Sequence, residues 1–463
     1  MSKVSQNSQL GVPNTLNIFD VPHTDPTYES IKLIPVRPTT TVENGGDTTF
    51  EATTSGEECF KPNETYLSGC IRLKDRGGNY IPADRVVGPI NLLPHTMYKT
   101  VKVELNGTVI GSGENYPQRV HLTKNISYGK EAKESHLSCA MYAKDIAGHM
   151  DDMPSLENTG LTTRSAFLAG GNPYHFYIRL EGDLFNISKI PPPKMNLRVT
   201  LHPSQPEFCL MAERYATRAA VAANASAGIE AAAAVHADPD YQIEVTGLTL
   251  WTTVVKLHSD VQVGILKRLE IDNAEYWLNR VIVRSYTIAS GVMDHAILNA
   301  FGGQLPKRIW FYLVTNTAFQ GAYNENPFNA AHHNVNYVCV HVNGTPYPNI
   351  PFTPDYQRNG NWTREYYSLF DASGIKYGNQ GLDITREDYP NGYCIYGLDL
   401  TSNHGAGDAS HMNLVKQGEV RIEFKFRTAP QHALSCVVYA EFDNLMEIDT
   451  NRNVIANWSG GSS

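Results

Sequence analysis

Between Glu419 and Arg427 the chain alternates, with Val420, Ile422, Phe424 and Phe426 apolar and Glu419, Arg421, Glu423, Lys425 and Arg427 charged. Successive side chains of a β-strand point to opposite faces, so a period of two predicts a strand with one face in a core and the other in water. Such strands belong to antiparallel sandwiches, whereas parallel α/β sheets are covered on both faces and read as continuous apolar runs. The alternation argues against a nucleotide-binding α/β architecture.

The pattern recurs. Val101-Lys-Val103-Glu-Leu105-Asn106-Gly107-Thr108 has a counterpart in Val338-Cys-Val340-His-Val342-Asn343-Gly344-Thr345, at an offset of 343 − 106 = 237 residues. Each predicts a strand entering a hairpin, because Asn-Gly accepts the positive φ angles of a two-residue turn. Leu197, Val199 and Leu201 pair in the same way with Val420, Ile422 and Phe424, at an offset of 420 − 197 = 223. A third pair sets Tyr174–Leu180 against Tyr393–Asp399, and closing strands are expected at Gln242–Trp251 and Ser435–Leu445. Any one pair can arise by chance, since period-two patterns are common, but the order is the same in both halves. Two similar β-domains in tandem account for it.

The junction falls between Lys256 and Arg280, where apolar and charged residues mix at helix-like spacing ahead of a strand at Val281–Ile288. The expected organisation is a flexible arm over 1–23, a first domain over 24–265, a second over 266–455 and a flexible tail over 456–463. Inside the first domain, 116–137 reads as a helical excursion and 212–239 as an Ala-rich insertion with high helix propensity.

Composition agrees. A chain of 463 residues exceeds what one core usually organises, about 250 to 300 residues. Hydrophobic residues make up 41% and charged residues 18%, as in folded globular proteins, while 36 Gly, 26 Pro and 25 Tyr favour an all-β fold with many turns. The net charge of −9 is a poor basis for binding nucleic acid, and no sequence-specific nucleic-acid binding is expected. Neither a signal peptide nor a transmembrane segment is expected. Seven separated cysteines, Cys59, Cys70, Cys139, Cys209, Cys339, Cys394 and Cys436, predict buried free thiols and a reducing compartment.

Candidate chemistry is sparse. The chain contains no GxSxG, HExxH or P-loop, and Gly129-Lys130 lacks the flanking residues a phosphate cradle requires. His332-His333 with His341, and His149 with Asp151 and Asp152, offer ligand-type atoms without metal-site spacing. Asp449-Thr-Asn451-Arg-Asn453 starts like a calcium loop but has Val454 where the turn requires Gly. The acidic pairs Glu57-Glu58, Asp151-Asp152 and Glu387-Asp388 leave one alternative, a carbohydrate-binding or glycoside-hydrolase-like β-sandwich. No catalytic, cofactor or metal residue is assigned.

Seven segments carry a resemblance: Ser127–Lys133 (SYGKEAK), Asp145–Asp151 (DIAGHMD), Gln304–Ile309 (QLPKRI), Asn326–Asn329 (NPFN), Arg386–Tyr393 (REDYPNGY), Asn413–Gly418 (NLVKQG) and Tyr439–Asn444 (YAEFDN). In this order the chain resembles the double jelly-roll major capsid proteins of Maverick/Polinton elements and adintoviruses and, more distantly, adenovirus hexon. It departs from that pattern at Ala212–Pro239, where the relatives are shorter. The resemblance implies two tandem eight-stranded antiparallel jelly rolls with short helices in the connecting loops, and no enzymatic activity. It implies homotrimeric, pseudo-hexagonal capsomers that tile an icosahedral shell with neighbouring capsomers and a single jelly-roll penton protein. The chain would be made in the host cytoplasm and end in the virion capsid. Loops rich in Asn, Pro, Gly and aromatic residues, with Tyr323, Asn326, Pro327, Phe328, Asp388, Tyr389 and Pro390, are expected either to order at subunit contacts or to brace the two sandwiches.

Overall fold

The alternating segment is a strand, Gln417–Phe426, whose Val420, Ile422, Phe424 and Phe426 are buried while Glu419, Arg421 and Lys425 are exposed. It is one of sixteen strands that build the walls of two sandwiches in a computed structural model. The structure describes residues 14–19, 24–40, 46–75, 77–83, 85–153, 157–217, 241–357, 360–376, 381–408, 410–456 and single positions 7, 21 and 379.

In the first half the strands are β1 (Tyr28–Val36), β2 (Thr48–Thr53), β3 (Glu58–Asp75), β4 (Tyr98–Leu105), β5 (Thr108–Val109), β6 (Tyr174–Arg179), β7 (Asn196–Pro203) and β8 (Tyr241–Leu257). In the second they are β9 (Ala274–Ile288), β10 (Asp294–Gln304), β11 (Arg308–Thr315), β12 (Val335–Val342), β13 (Thr345–Phe352), β14 (Tyr396–Asp399), β15 (Gln417–Phe426) and β16 (Leu434–Ile448). The first half pairs as β1-β8-β3-β6 and β2-β7-β4-β5, and the second as β9-β16-β11-β14 and β10-β15-β12-β13. Adding eight to each strand number turns one pair of sheets into the other. Every pairing is antiparallel, so each half is an eight-stranded jelly roll and the chain holds two.

The repeat read from the sequence is therefore a repeat of topology. Both Asn-Gly hairpins form, β4–β5 with Asn106 at φ 48° and Gly107 at 80°, β12–β13 with Asn343 at 50° and Gly344 at 78°. The second pairing joins β7 to β15, the third joins β6 to β14, and the closing strands are β8 and β16.

Four helices of ten or more residues occur among the described residues: α1 (Tyr116–Ser127), α2 (Thr159–Leu168), α3 (Ser259–Leu269) and α4 (Thr363–Ser373). The helix expected over 116–137 stops at Ser127. Tyr128 is extended and Gly129 starts a separate short helix, Lys130–Glu134. The junction does contain a helix, α3, but residues 274–280 are strand and not helix, with Tyr276, Leu278 and Arg280 buried at period two. Within the Ala-rich stretch, Leu210–Thr217 is a strand paired with Arg85–Pro89, and 218–240 lies outside the described residues, as do most of the arm over 1–23 and the tail over 457–463. All seven cysteines are free, but only five are buried, since Cys70 is half-buried and Cys139 exposed.

One sheet departs from the one-sided rule. In β9-β16-β11-β14, residues Ile309, Phe311, Leu313, Val438 and Phe442 face the core of the second sandwich with Ile422 and Phe424. On the other face Trp310, Tyr312, Val314, Val437 and Tyr439 pack with Leu122 and Ile126 of α1 and with Met150. Ile309–Val314 is accordingly an unbroken apolar run, buried throughout. Farther along β9 and β16, Tyr276, Leu278, Met446 and Ile448 join the core of the first sandwich. At about 1.5–3 kcal/mol for each large apolar side chain taken out of water, this shared burial is a major stabilising term.

The two hairpins offer a direct comparison. A Cβ on Gly107 or Gly344 meets no atom within 4 Å, so Gly107→Ala and Gly344→Ala confront only the left-handed backbone. Each is expected to cost about 1 kcal/mol, read as a matched lowering of the urea midpoint at unchanged slope.

Candidate functional site

The segments that cross between the two halves concentrate the buried polar chemistry. From the first half, residues 143–151 run against two loops of the second, 321–336 and 383–392. Arg164 on α2 is fully buried; its Nε donates to Pro89 O (2.9 Å) and its Nη2 to Asp145 Oδ1 (2.7 Å). Asp145 is in turn held from the second half, by Tyr393 OH donating to its carbonyl (2.7 Å) and Asn326 Nδ2 reaching Oδ2 (3.4 Å). Asp151 Oδ1 accepts the Asn326 backbone N–H (2.7 Å), and Lys144 Nζ donates to Asp388 Oδ2 (2.9 Å) and Asp383 Oδ1 (3.4 Å). Burial opposes ionisation of Asp388, yet Lys144 and the Thr385 N–H hold its carboxyl below the usual range.

Of the seven residues singled out in the sequence, Asn326, Pro327, Phe328, Tyr389 and Pro390 are buried, and Tyr323 and Asp388 half-buried. Asn326 caps its own turn, with Oδ1 accepting Phe328 N–H (3.0 Å), and donates to Met150 O (3.3 Å). Phe328 stacks on His121 of α1, ring centroids 4.1 Å apart at 4°, and meets Phe208 edge-on. The Tyr323 carbonyl accepts Ala212 N–H (2.9 Å) and its ring meets Tyr241. Tyr389 stays within the second half, donating to Ile395 O (3.1 Å). The structure thus brings Asn326, Phe328, Tyr323 and Asp388 against the first half and leaves Tyr389 supporting the loop that carries Asp388.

Helix α1 supplies residues that sequence reasoning missed. Arg119 Nη2 donates to Asp183 Oδ1 (2.6 Å), which also accepts the Val281 N–H of β9 (3.2 Å). Lys124 Nζ donates to Glu181 Oε1 (2.5 Å), with both side chains 4% exposed. His121 Nε2 lies 2.9 Å from Asn125 Nδ2, and burial, reinforced by Lys133, pushes its pKa down to about 3. His95, 3.0 Å from Tyr116 OH, is likewise lowered to about 3 by burial and then by Lys124. A second network holds Lys307 to Asp443 (2.7 Å), Arg308 to Glu441 (2.7 Å) and Asn413 to Asp443 (2.8 Å). A signal for it was present: Glu441, Asp443 and Asn444 interrupt an otherwise apolar run from Cys436 to Met446 in β16.

The candidate chemical groups are engaged elsewhere or separated. Glu58 accepts Ser55 Oγ (3.1 Å), Asp151 and Asp388 belong to the seam, and Asp449 accepts the Asn453 N–H (2.8 Å) in a turn. His332 stacks on Tyr356, while His341 faces Glu423. The grouping of His149 with Asp151 is corrected: Asp151 turns to Asn326, and His149 instead meets Asp152 (2.6 Å) and Glu157 (3.6 Å) at a half-exposed position. Among the described residues no helix is long and apolar enough to cross a membrane.

The chain is a double jelly-roll protein whose halves are joined by a buried polar seam. No family model matches its sequence. The Caenorhabditis elegans protein named "Uncharacterized protein F54H12.2" is 25% identical over 407 residues, covering 84% of this chain and 88% of that one. A chain of the Sputnik virophage solved by cryo-EM superposes with TM-score 0.64 at 11% identity, covering 100% of this chain and 95% of the other. The Faustovirus major capsid protein does so with TM-score 0.59 at 9% identity over 92% of each chain. The mavirus major capsid protein gives 0.50 at 12% identity over 100% of this chain and 98% of that one. At these identities the solved structures establish a shared double jelly-roll fold.

Two outcomes follow from the seam. Arg164→Met leaves Asp145 buried without its cation and is expected to cost about 3–5 kcal/mol in chemical unfolding, as is Asp145→Ala; the double variant costs less than the sum. The pH dependence has a defined sign. His95 and His121 have folded values near 3, below the unfolded 6.5, so between these pH values the unfolded chain binds more protons. Stability is complete above about pH 6.5 and falls as the pH drops towards 3, by about 1.4 kcal/mol per pH unit for each ring. Unfolding free energies of His121→Phe between pH 6 and 4 are expected to show the slope reduced by one proton.

Proposed function

We propose that this chain is a major capsid protein of the Maverick/Polinton and adintovirus lineage. It self-assembles as homotrimeric capsomers that tile an icosahedral shell, with a separate penton protein at the vertices and the virion capsid as its destination. The observation that carries the reading is the double jelly roll itself, matched over 92% of its length by the Faustovirus major capsid protein and over 100% by that of mavirus. The ordered motifs named above support the narrower lineage.

The physical reading is that of a wall. Two domains, 24–265 and 266–455, present similar outlines, so three chains supply six similar units around a pseudo-sixfold axis. Lateral contacts between such units are many and individually weak, and their geometry holds only if each chain is stiff. Asn326, Pro327 and Phe328 supply that stiffness: buried inside one chain, they brace the two sandwiches and are not available to a neighbour. Tyr323 and Asp388 join the same brace, and Tyr389 and Pro390 keep its second loop in shape. No residue is assigned a catalytic role.

Light scattering and negative-stain microscopy of the full chain, over a range of salt and protein concentration, test the proposal. Trimers at low concentration and closed shells at high concentration are expected. A monomer persisting across the whole range overturns it.

A further inference from the structure

Where β8 ends and β9 begins, α3 stands away from both sandwiches. Of its eleven residues only Leu269 is buried, and Val263, Ile265 and the following Ile271 are 49%, 40% and 73% exposed. Beneath it runs a groove of about 730 Å³, floored by Ile190, Pro191, Leu257, Ile265, Leu269 and Tyr276 and rimmed by the Arg268–Asp272 ion pair and Glu447. The apolar strip continues onto β1, where Tyr28 pairs with Leu257, Ile31 pairs with Val255, and Tyr28, Ile31 and Leu33 are all exposed. An apolar strip of this extent, rimmed by charge, marks an interaction surface.

The same corner is the origin of the N-terminal arm. His258, which caps α3, donates its N–H to Thr27 O (3.0 Å), so the chain before β1 departs beside the mouth of the groove. That arm carries Leu16, Ile18, Phe19 and Val21, exposed by 67%, 76%, 88% and 84%. Among the described residues, nothing covers these four large apolar side chains of one short stretch. Although the root of the arm adjoins the groove, these four side chains stand in water and none of them lines it, so their own chain does not seat them there.

We propose that the groove beneath α3 takes the Leu16–Val21 segment of a second copy of this chain, with Phe19 as the anchor. Because each groove adjoins the root of its own arm, two copies that meet at their α3 corners exchange arms reciprocally across a single twofold contact. The exchange covers the apolar residues of both partners at once. It rests on the self-assembly proposed above but not on any particular shell.

A photo-crosslinking amino acid in place of Phe19, in an equal mixture of isotopically light and heavy full-length chains, reads the exchange directly. Crosslinks from position 19 to peptides within 257–276 that join a light and a heavy chain are expected, and Ile265→Asp is expected to abolish them while the fold is retained. Crosslinks to that region within one isotope only place the arm in its own groove and overturn the proposal, as do crosslinks that map elsewhere or none at all. Trimers and shells that form without the crosslink overturn this inference alone, whereas a persistent monomer overturns it together with the capsid reading.

Discussion

A sheet that is dry on both faces has to be built against something, and β9-β16-β11-β14 is such a sheet. The outer face of that sheet, with Trp310, Tyr312, Val314, Val437 and Tyr439, is covered partly by its own half, through Leu369 and Ala372 of α4 and Ile384 and Ile395, and partly by Leu122, Ile126 and Met150 of the first half, so separating the halves would open part of it to water. The two jelly rolls are therefore not two beads on a string. The first lends α1 and the 143–151 segment as a lid for the second, and the second returns Tyr276, Leu278, Met446 and Ile448 to the first core. The rigid unit is the pair.

That constraint explains where the charges lie. A lid made from loops and a helix brings backbone and polar side chains into a water-poor seam, where each group must find a partner or cost free energy. Arg164–Asp145 and Arg119–Asp183 do so at the seam itself, and Lys124–Glu181, Lys307–Asp443 and Arg308–Glu441 do so within the halves on either side of it. Such pairs add little net stability over apolar packing of the same volume, because desolvation offsets much of the attraction. Their value lies in direction. A hydrophobic lid can slide, but Asp183, fixed at once to Arg119 and to the Val281 N–H, admits one register between α1 and β9.

The sequence was most readable where local rules act alone. Alternation at 417–426 and the Asn-Gly turns needed no tertiary information, because pleat and turn geometry are set within a few residues. The loops at 321–336 and 383–392 stood out through their composition, but whether they faced a neighbour or the chain's own other half depends on partners far along the chain, as for Asn326 with Asp151 and Asp388 with Lys144. Arg119, Lys124 and Arg164 were illegible because only the fold sets Asp183, Glu181 and Asp145 against them. On a helix, a lone cation reads as a solvated face until something acidic is brought above it. The helix expected to continue past Ser127 failed at Tyr128-Gly129, where propensity averaged over a window concealed a local break.

The two halves also show which part of a duplicated pattern survives. Strands β7 and β15 still match position by position, because both point apolar residues into a core of their own. Strands β3 and β11 occupy equivalent places, yet they share little. The outer face of the first sheet has Tyr66, Ser68 and Trp251 half-buried and Tyr177 exposed, with Tyr66 stacked on Tyr177 at 4.9 Å and Trp251 bonded to Ser68 at 2.8 Å. Its counterpart on β11 has become Trp310, Tyr312 and Val314 beneath a lid. The inner faces answer to the same constraint in both copies and keep the repeat. The outer faces answer to different neighbours, and there the likeness between the copies is lost.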